Sequence, residues 1–487
     1  MTKCINAQFE VNENENVSGV LSDVKKYAFN CWSSTYFFVE NHSNIYGKTQ
    51  DNKTISLLNC LSSESSAFGM GGATYSNIIT PHAVLTGNKR VDPDNDKFCS
   101  ISLAIGNSQA LLNLFTSFGY ISAPDDELVS QLSAQKYVSP FSTEHKPMLA
   151  YFNGNFEIFS QNTELGIIEA NNYVSTGGGF NSDGVSIRNK VMLKVKFHDR
   201  KTLNEALNIA HKVSLLLRFI AGESLFFQDL TISDESDSNF QLLHNTYSWG
   251  EALTSNKSGN PLIDISSEDF PPFLASWLSH VDRDIVRYSF YDGFLKGRSY
   301  SSDRLINAAN MFDIFPASKG NTRKALKKEE SEKLKKLKLH IKEEFSELNE
   351  IKNSLLMSIG LLTRKSLKDR VNERLSVIES YLKSRDFDLE DIELVLGLAI
   401  KARNYHVHGS EFKQLTPLQM HQYQVLFTCF FEFIYAVSEL VECGWGESQI
   451  SHQNTRHPIF ENEQYLKSKI MSLKNTVADN QKQKVAN

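Results

Sequence analysis

Two hydrophobic periods divide the chain. Over the first 230 residues, apolar and polar positions alternate in short runs. "KYAFNCWSSTYFFVE" and "FCSISLAI" are rich in aromatic and β-branched residues, and polar clusters such as "VENHSN" and "DPDND" separate such runs. "VSIRNKVMLKVKF" puts Val191, Leu193, Val195 and Phe197 on one side and Lys194 and Lys196 on the other, the pattern of a half-buried strand. A helix is predicted after it, from Leu203 to Ala221. Leu203, Ala206, Leu207, Ala210, Val213 and Leu217 recur at helical spacing, and Gly222 provides the stop.

From 231 to 262 the composition turns to Ser, Asp, Asn and Gly ("ISDESDSNF", "LTSNKSGNP"), which predicts a linker or a long surface connection. Beyond it the period is helical, with predicted helices at 268–282, 302–314, 321–351, 366–384, 389–404 and 416–442. The third carries Leu334, Leu337, Ile341, Phe345, Leu348 and Ile351 on one stripe that calls for a helical partner. The last opens with Thr416 as N-cap, Pro417 at the first position and Gln419 closing a capping box. Residues after about 450 read as a frayed polar tail. The expected fold class is α+β. A β-rich domain occupies 1–230, a linker 231–262, an all-α bundle 263–450 and a tail 451–487.

Composition changes this picture little. Of 487 residues, 41% are hydrophobic and 22% charged, ordinary for a globular protein. A net charge of −6 and a pI near 6.1 exclude a surface coated in positive charge, while a local basic site stays open. The six cysteines show no CxxC spacing and read as reduced thiols rather than a disulfide or zinc framework. No apolar segment follows Lys3, so no signal peptide is expected. "VLFTCFFEFIYAV" (Val425 to Val437) is short for a bilayer span and carries Glu432. It reads as a core helix, and the expected compartment is the cytoplasm, with no membrane partner.

Chemistry concentrates in "GLAIKARNYHVHGSEF". Asp388 is the predicted N-cap of this helix, and Ile392, Val395, Leu396, Ala399 and Ile400 form its buried face. Arg403 falls in the last turn and His408 just before Gly409. The helix dipole accounts for a cation there and Gly409 is a natural cap. Neither accounts for Asn404, a poor helix former, or for His406 and His408 two residues apart. An arginine offers a permanently charged fork for phosphate, and a histidine moves protons near neutral pH.

The string Arg403-Asn404-Tyr405-His406-Val407-His408 resembles the RNxxxH motif of HEPN (higher eukaryotes and prokaryotes nucleotide-binding) ribonucleases. "PPFLASWLSHVDRDIVRYSFYDGF", "SSDRLINAANMFDIF" and "ARNYHVHG" resemble the helical domain of ApeA-type anti-phage proteins. "IITPHAVLTGNKRVDPDNDKFCSISLAIGN" and "VKFHDRKTLNEALNIAHKVSLLLRFIAGES" are similar to that family's N-terminal domain. The resemblance implies a metal-independent endoribonuclease without cofactor, acting in abortive-infection defence. The RNA 2′-OH would attack the adjacent phosphate and leave 2′,3′-cyclic phosphate and 5′-OH ends. His408 would be general base or acid, Arg403 would hold the phosphate, and Asn404 would orient the backbone or the histidine.

It also implies a homodimer through the HEPN domain, with higher oligomers open. The N-terminal domain would answer a phage-derived trigger, and a tRNA or another RNA of translation would be a candidate substrate. Tyr405 and His406 take supporting or substrate-binding places. Asn310 stands where an acidic residue was expected, with Asp313 one turn on. The alternative is a non-catalytic HEPN-like module for nucleotide or RNA binding and dimerisation, with the β domain recognising a ligand or protein.

Thr322–Phe345 holds nine Lys or Arg against five Glu. A solvated helix face is the plain reading, and the functional one is a wall at Lys324, Lys327, Lys328, Lys335 and Lys336 that steers RNA. The glycine-rich "FGMGGATYS" and "STGGGFNSDG" lack the order of a phosphate loop and read as turns. Asp92, Asp94 and Asp96 begin like a calcium loop, but Lys97 and Leu103 stand where the glycine and closing glutamate belong, so a hairpin turn is expected. His452 and His457 lack companion ligands, and no metal site is predicted.

Overall fold

In the computed structural model, the described residues are 5–12, 15–23, 28–34, 36–69, 72–106, 108, 111–112, 117–136, 141, 144–177, 186–222, 225, 227–236, 238–244, 261–294, 297, 299–316, 328–362, 364–446 and 457–486. Two compact units emerge, Met1–Ser279 and His280–Asn487. The first is β-rich and the second helical, which makes the chain α+β.

The first unit holds β1 (Asn6–Asn12), β2 (Glu15–Asp23), β3 (Ala28–Ser33), β4 (Ile45–Thr49), β5 (Thr54–Gly69), β6 (Gly72–Gly87), β7 (Phe98–Ile105), β8 (Phe118–Ile121), β9 (Leu149–Phe152), β10 (Glu157–Thr163), β11 (Gly166–Gly177), β12 (Ser186–Lys201), β13 (Phe227–Ser233) and β14 (Asn239–His244). Twelve of these run in the order β10-β11-β12-β7-β13-β14-β6-β3-β2-β1-β4-β5. Because β5 also pairs with β6, strands β1 to β6 close into an antiparallel barrel. Alternate inward residues fill it: Phe9, Phe29, Ile55, Leu57, Ile79 and Val84 are all fully buried. Closure leaves these six strands without a free edge along their paired lengths.

Between β8 and β9 lies a short helix that the pattern did not announce, α1 (Asp126–Ser133), capped by Asp125. Helix α2 (Leu203–Ala221) has the bounds its periodicity predicted. Thr202 and Glu205 form a capping box, and Gly222 ends the helix at φ 69°, a conformation that favours glycine. The predicted linker is in part structure. Residues 231–233 complete β13 and 239–244 form β14, where Phe240, Leu242 and His244 alternate inward and Gln241 to His244 pair against β6. The polar run Ser233–Asn239 that joins the two strands dominated the composition. Residues 245–260 lie outside the described set.

Leu262, Ile263 and Ile265 belong to the first unit rather than to a bundle. They are buried, and the Leu262 and Ile265 amides donate to the Ile220 and Leu111 carbonyls at 2.8 and 3.2 Å. Helix α3 (Phe270–Ser279) stacks Phe270 on Phe159 of β10 at 4.9 Å. The Asp92–Asp96 turn is stapled by its own side chains, but β6 and β7, which it joins, do not pair. It is a crossover turn and not the expected hairpin.

The second unit holds α4 (Asp284–Phe294), α5 (Ser302–Ile314), α6 (Lys328–Glu344), α7 (Asn349–Leu362), α8 (Leu367–Val377), α9 (Glu379–Ser384), α10 (Leu389–His408), α11 (Pro417–Glu442) and α12 (Pro458–Ala486). The helix predicted at 321–351 breaks near Ser346 into α6 and α7. The partner its stripe called for is α7, and of the stripe only Ile341 is buried. Helix α11 is the core, packed by α5, α8, α10 and α12. It is long and apolar enough to cross a membrane, but 89% of its apolar window is inside the bundle. Its two buried glutamates meet arginines. Glu432 accepts from Arg304 at 2.7 and 2.9 Å, and Glu439 from Arg287 at 2.6 and 2.9 Å and Arg283 at 2.8 Å.

The residues read as a frayed tail form α12, a 29-residue helix. Leu466, Ile470, Leu473 and Val477 make a narrow buried stripe against the bundle. Glu463 accepts from the Tyr381 hydroxyl and from Arg385, each at 2.8 Å. A stripe one residue wide, diluted by lysines and amides, is what a sequence reading mistakes for a tail.

Candidate functional site

The site is built where the end of α10 meets the last turn of α5. Asp388 caps the start of α10 by accepting from the Glu390 amide at 2.9 Å. Its buried stripe runs Ile392, Val395, Leu396, Leu398, Ala399 and Ala402, while Ile400 is only half-buried. The helix continues one turn past its predicted end, to His408. Gly409 then closes it at φ 64°, with its amide on the Tyr405 carbonyl at 2.9 Å. Arg403 therefore lies inside the helix, with His408 as the last helical residue.

Arg403 is the hub. Nη2 donates to Asn310 Oδ1 at 2.8 Å and sits 3.7 Å from Asp313 Oδ2. Nη1 donates to Asn404 Oδ1 at 3.1 Å and lies 3.5 Å from His408 Nε2. Since a guanidinium only donates, that geometry suits a His408 ring with its proton on Nδ1. The Arg403 side chain is 16% exposed, Asp313 is 39% exposed, and His408 is open to solvent. Arg403 Nε is buried without an acceptor among the described residues.

The charge of Arg403 differs in its surroundings from five other arginines of this unit. Arg283, Arg287, Arg304, Arg374 and Arg385 each meet a glutamate at 2.6–2.8 Å. Arg403 is held by two neutral amide oxygens, with its nearest carboxylate half-exposed and at longer range. Amide acceptors fix the direction of the fork without cancelling its charge. What remains is an oriented cation beside a solvent-facing imidazole, a pair suited to an anionic substrate whose proton must move.

Five of the sequence-singled residues thus converge: Arg403, Asn404, His408, Asn310 and Asp313. Tyr405 and His406 do not join them through any hydrogen bond between described residues. Their rings stack edge to face at 5.4 Å, and His406 Nε2 is buried without a partner among the described residues. Burial first, and then His421, push His406 below its ordinary pKa. Lys328, Lys335 and Lys336 are exposed on α6, which packs on α7, while Lys324 and Lys327 lie outside the described residues. The described residues contain no group of three or more His, Cys, Asp or Glu able to hold a metal.

Sequence reasoning missed Arg370 on α8. Its Nη1 donates to the Asp313 carbonyl and, at 3.4 Å, to that of Phe312, gripping the C-terminal end of α5 that carries Asn310 and Asp313. A cation at exposed helix carbonyls follows dipole logic, but no local signal ties residue 370 to residue 313.

Residues 7–277 match the family model of the ApeA N-terminal domain 1, and residues 306–449 match that of the Apea-like HEPN. Neither the curated proteins nor the solved structures gave a match.

Proposed function

The chain belongs to the family that carries the ApeA N-terminal domain 1 followed by an ApeA-like HEPN domain, and on that premise we propose that its helical unit cleaves RNA. This family assignment makes it a HEPN-type anti-phage defence protein, and HEPN domains are commonly ribonucleases. In the proposed reaction the RNA 2′-OH attacks the neighbouring phosphorus and the 5′-oxygen of the next nucleotide leaves. The products are a 2′,3′-cyclic phosphate and a 5′-OH. His408 moves a proton at the 2′-hydroxyl or the leaving oxygen. Arg403 holds the phosphate and offsets charge as it develops, and Asn404 keeps the fork aligned. The residues given roles need no metal, and DNA, lacking the 2′-OH, is spared.

The observation that carries this reading is the placing of Arg403, oriented by the neutral amides of Asn310 and Asn404, 3.7 Å from its nearest carboxylate, Asp313, and 3.5 Å from His408. Five other arginines of the unit instead meet a glutamate at 2.6–2.8 Å. Two copies facing through this end of the bundle would double the site, and a phage-derived signal reaching the N-terminal unit would release it. Lys328, Lys335 and Lys336 would steer RNA toward the site. The cytoplasm, where such RNA lies, is the compartment this reading requires.

Phage challenge of bacteria carrying wild type or His408→Ala tests the proposal. Protection by wild type alone supports it. Equal protection by both favours the non-catalytic binding module.

A further inference from the structure

The outer wall of the barrel carries a groove whose residues have no part in the proposed reaction. A groove of about 640 Å³ opens across β4, β1, β2 and β3, within the size range of small-ligand pockets. Register places its central residues in one row. Lys48 stands opposite Gln8, Gln8 opposite Ser18, and Ser18 opposite Trp32. All four side chains point away from the barrel core, since Phe9, Val17 and Cys31 beside them point inward.

Three features of this row bear on what it could bind. Trp32 is 43% exposed, whereas Trp277 and Trp445 are buried. Lys48 is the single charged residue among those lining the groove. It also has no carboxylate partner among the described residues, a state it shares with Lys194 of β12, while Lys53, Lys89, Lys146, Lys190 and Lys196 of the same unit have one. Between indole and ammonium lie Gln8 and Ser18, which both donate and accept hydrogen bonds.

From this arrangement we infer that the groove binds a mononucleotide. The base stacks on Trp32, Gln8 and Ser18 address its polar edge or the ribose, and the phosphate meets Lys48. The row spans three strand spacings, roughly 14 Å, which the flexible lysine stem shortens to the reach from a base to its 5′-phosphate. A lining without carboxylates favours an anion over a neutral sugar, whose sites do not need the cation. The groove is bounded, which favours one nucleotide over a strand. The inference lies wholly in the N-terminal unit and does not rest on the nuclease reading.

Calorimetric titration of the full chain tests it, using the four 5′-nucleoside monophosphates, adenosine, inorganic phosphate and an oligouridylate. Trp32→Leu and Lys48→Gln serve as variants; both positions are exposed, and thermal melting checks that both fold. Saturable binding of at least one monophosphate is expected. Trp32→Leu should weaken it roughly tenfold or more, the scale of a lost base stack. Lys48→Gln should weaken it roughly two- to fivefold, as for one partly exposed ion pair, and leave adenosine unaffected. The inference is overturned if no monophosphate binds, if both variants bind like wild type, or if only the oligonucleotide binds.

Discussion

Arg403 of α10 donates to the amide oxygen of Asn310 on α5 at 2.8 Å, across 93 residues of sequence. A neutral side chain therefore orients the cation at the heart of the proposed site. Replacing Asn310 with Leu removes the acceptor and should lower kcat/KM for RNA cleavage roughly tenfold, about 1.4 kcal/mol of transition-state stabilisation. Asn310→Asp should instead hold Arg403 more tightly and cancel its charge, raising KM for RNA. Steady-state cleavage of a fluorescent oligoribonucleotide separates the two outcomes.

The Arg304–Glu432 pair is 4% and 3% exposed, and each partner would be left as an uncompensated buried charge without the other. Burial raises the Glu432 pKa, against the pull of Arg304. Glu432→Ala should cost about 3–5 kcal/mol in denaturant unfolding. The double replacement Arg304→Met with Glu432→Leu should cost much less, because no lone charge remains.

Acid should loosen the N-terminal unit through His244. Its Nε2 lies 3.0 Å from that of His82, and one of the two rings must accept. Burial first, then His82 and His211, push the His244 pKa down from 6.5 to about 4. Between those values the unfolded chain binds a proton that the folded chain refuses. Stability present above pH 6.5 is thus lost as the pH falls toward 4, by up to about 3 kcal/mol. His244→Phe should flatten that slope in urea melts taken across the window.

Helix α12 belongs to the bundle. Leu473 is fully buried on its narrow stripe, so Leu473→Ala should cost about 2–5 kcal/mol. Truncation before Pro458 should leave the helical unit poorly folded, with Glu463 gone from Tyr381 and Arg385. A truncated chain that melted like the full one would contradict this.

The parts of the fold that local physics writes were legible. The bounds of α2 and α5 follow from apolar spacing and caps, and Gly409 marks the end of α10 because its left-handed φ favours glycine. The strand order was not legible, since β14 pairs with β6 some 160 residues earlier and nothing local encodes that partner. Strand β14 itself hid behind the polar run Ser233–Asn239 that precedes it. In the site, Arg403, Asn404 and His408 stood out because they are crowded at one helix end. The grip of Arg370 on the end of α5 could not be read, because the fold alone brings those residues together.

The nuclease proposal meets its most direct test in cleavage of total bacterial RNA in EDTA. Wild type, Arg403→Ala and His408→Ala would be compared in extracts from infected and uninfected cells. Wild type alone should yield fragments ending in 2′,3′-cyclic phosphate, in infected extract if a trigger is required. Intact RNA with wild type in both extracts, or equal cleavage by all three proteins, would contradict the proposal.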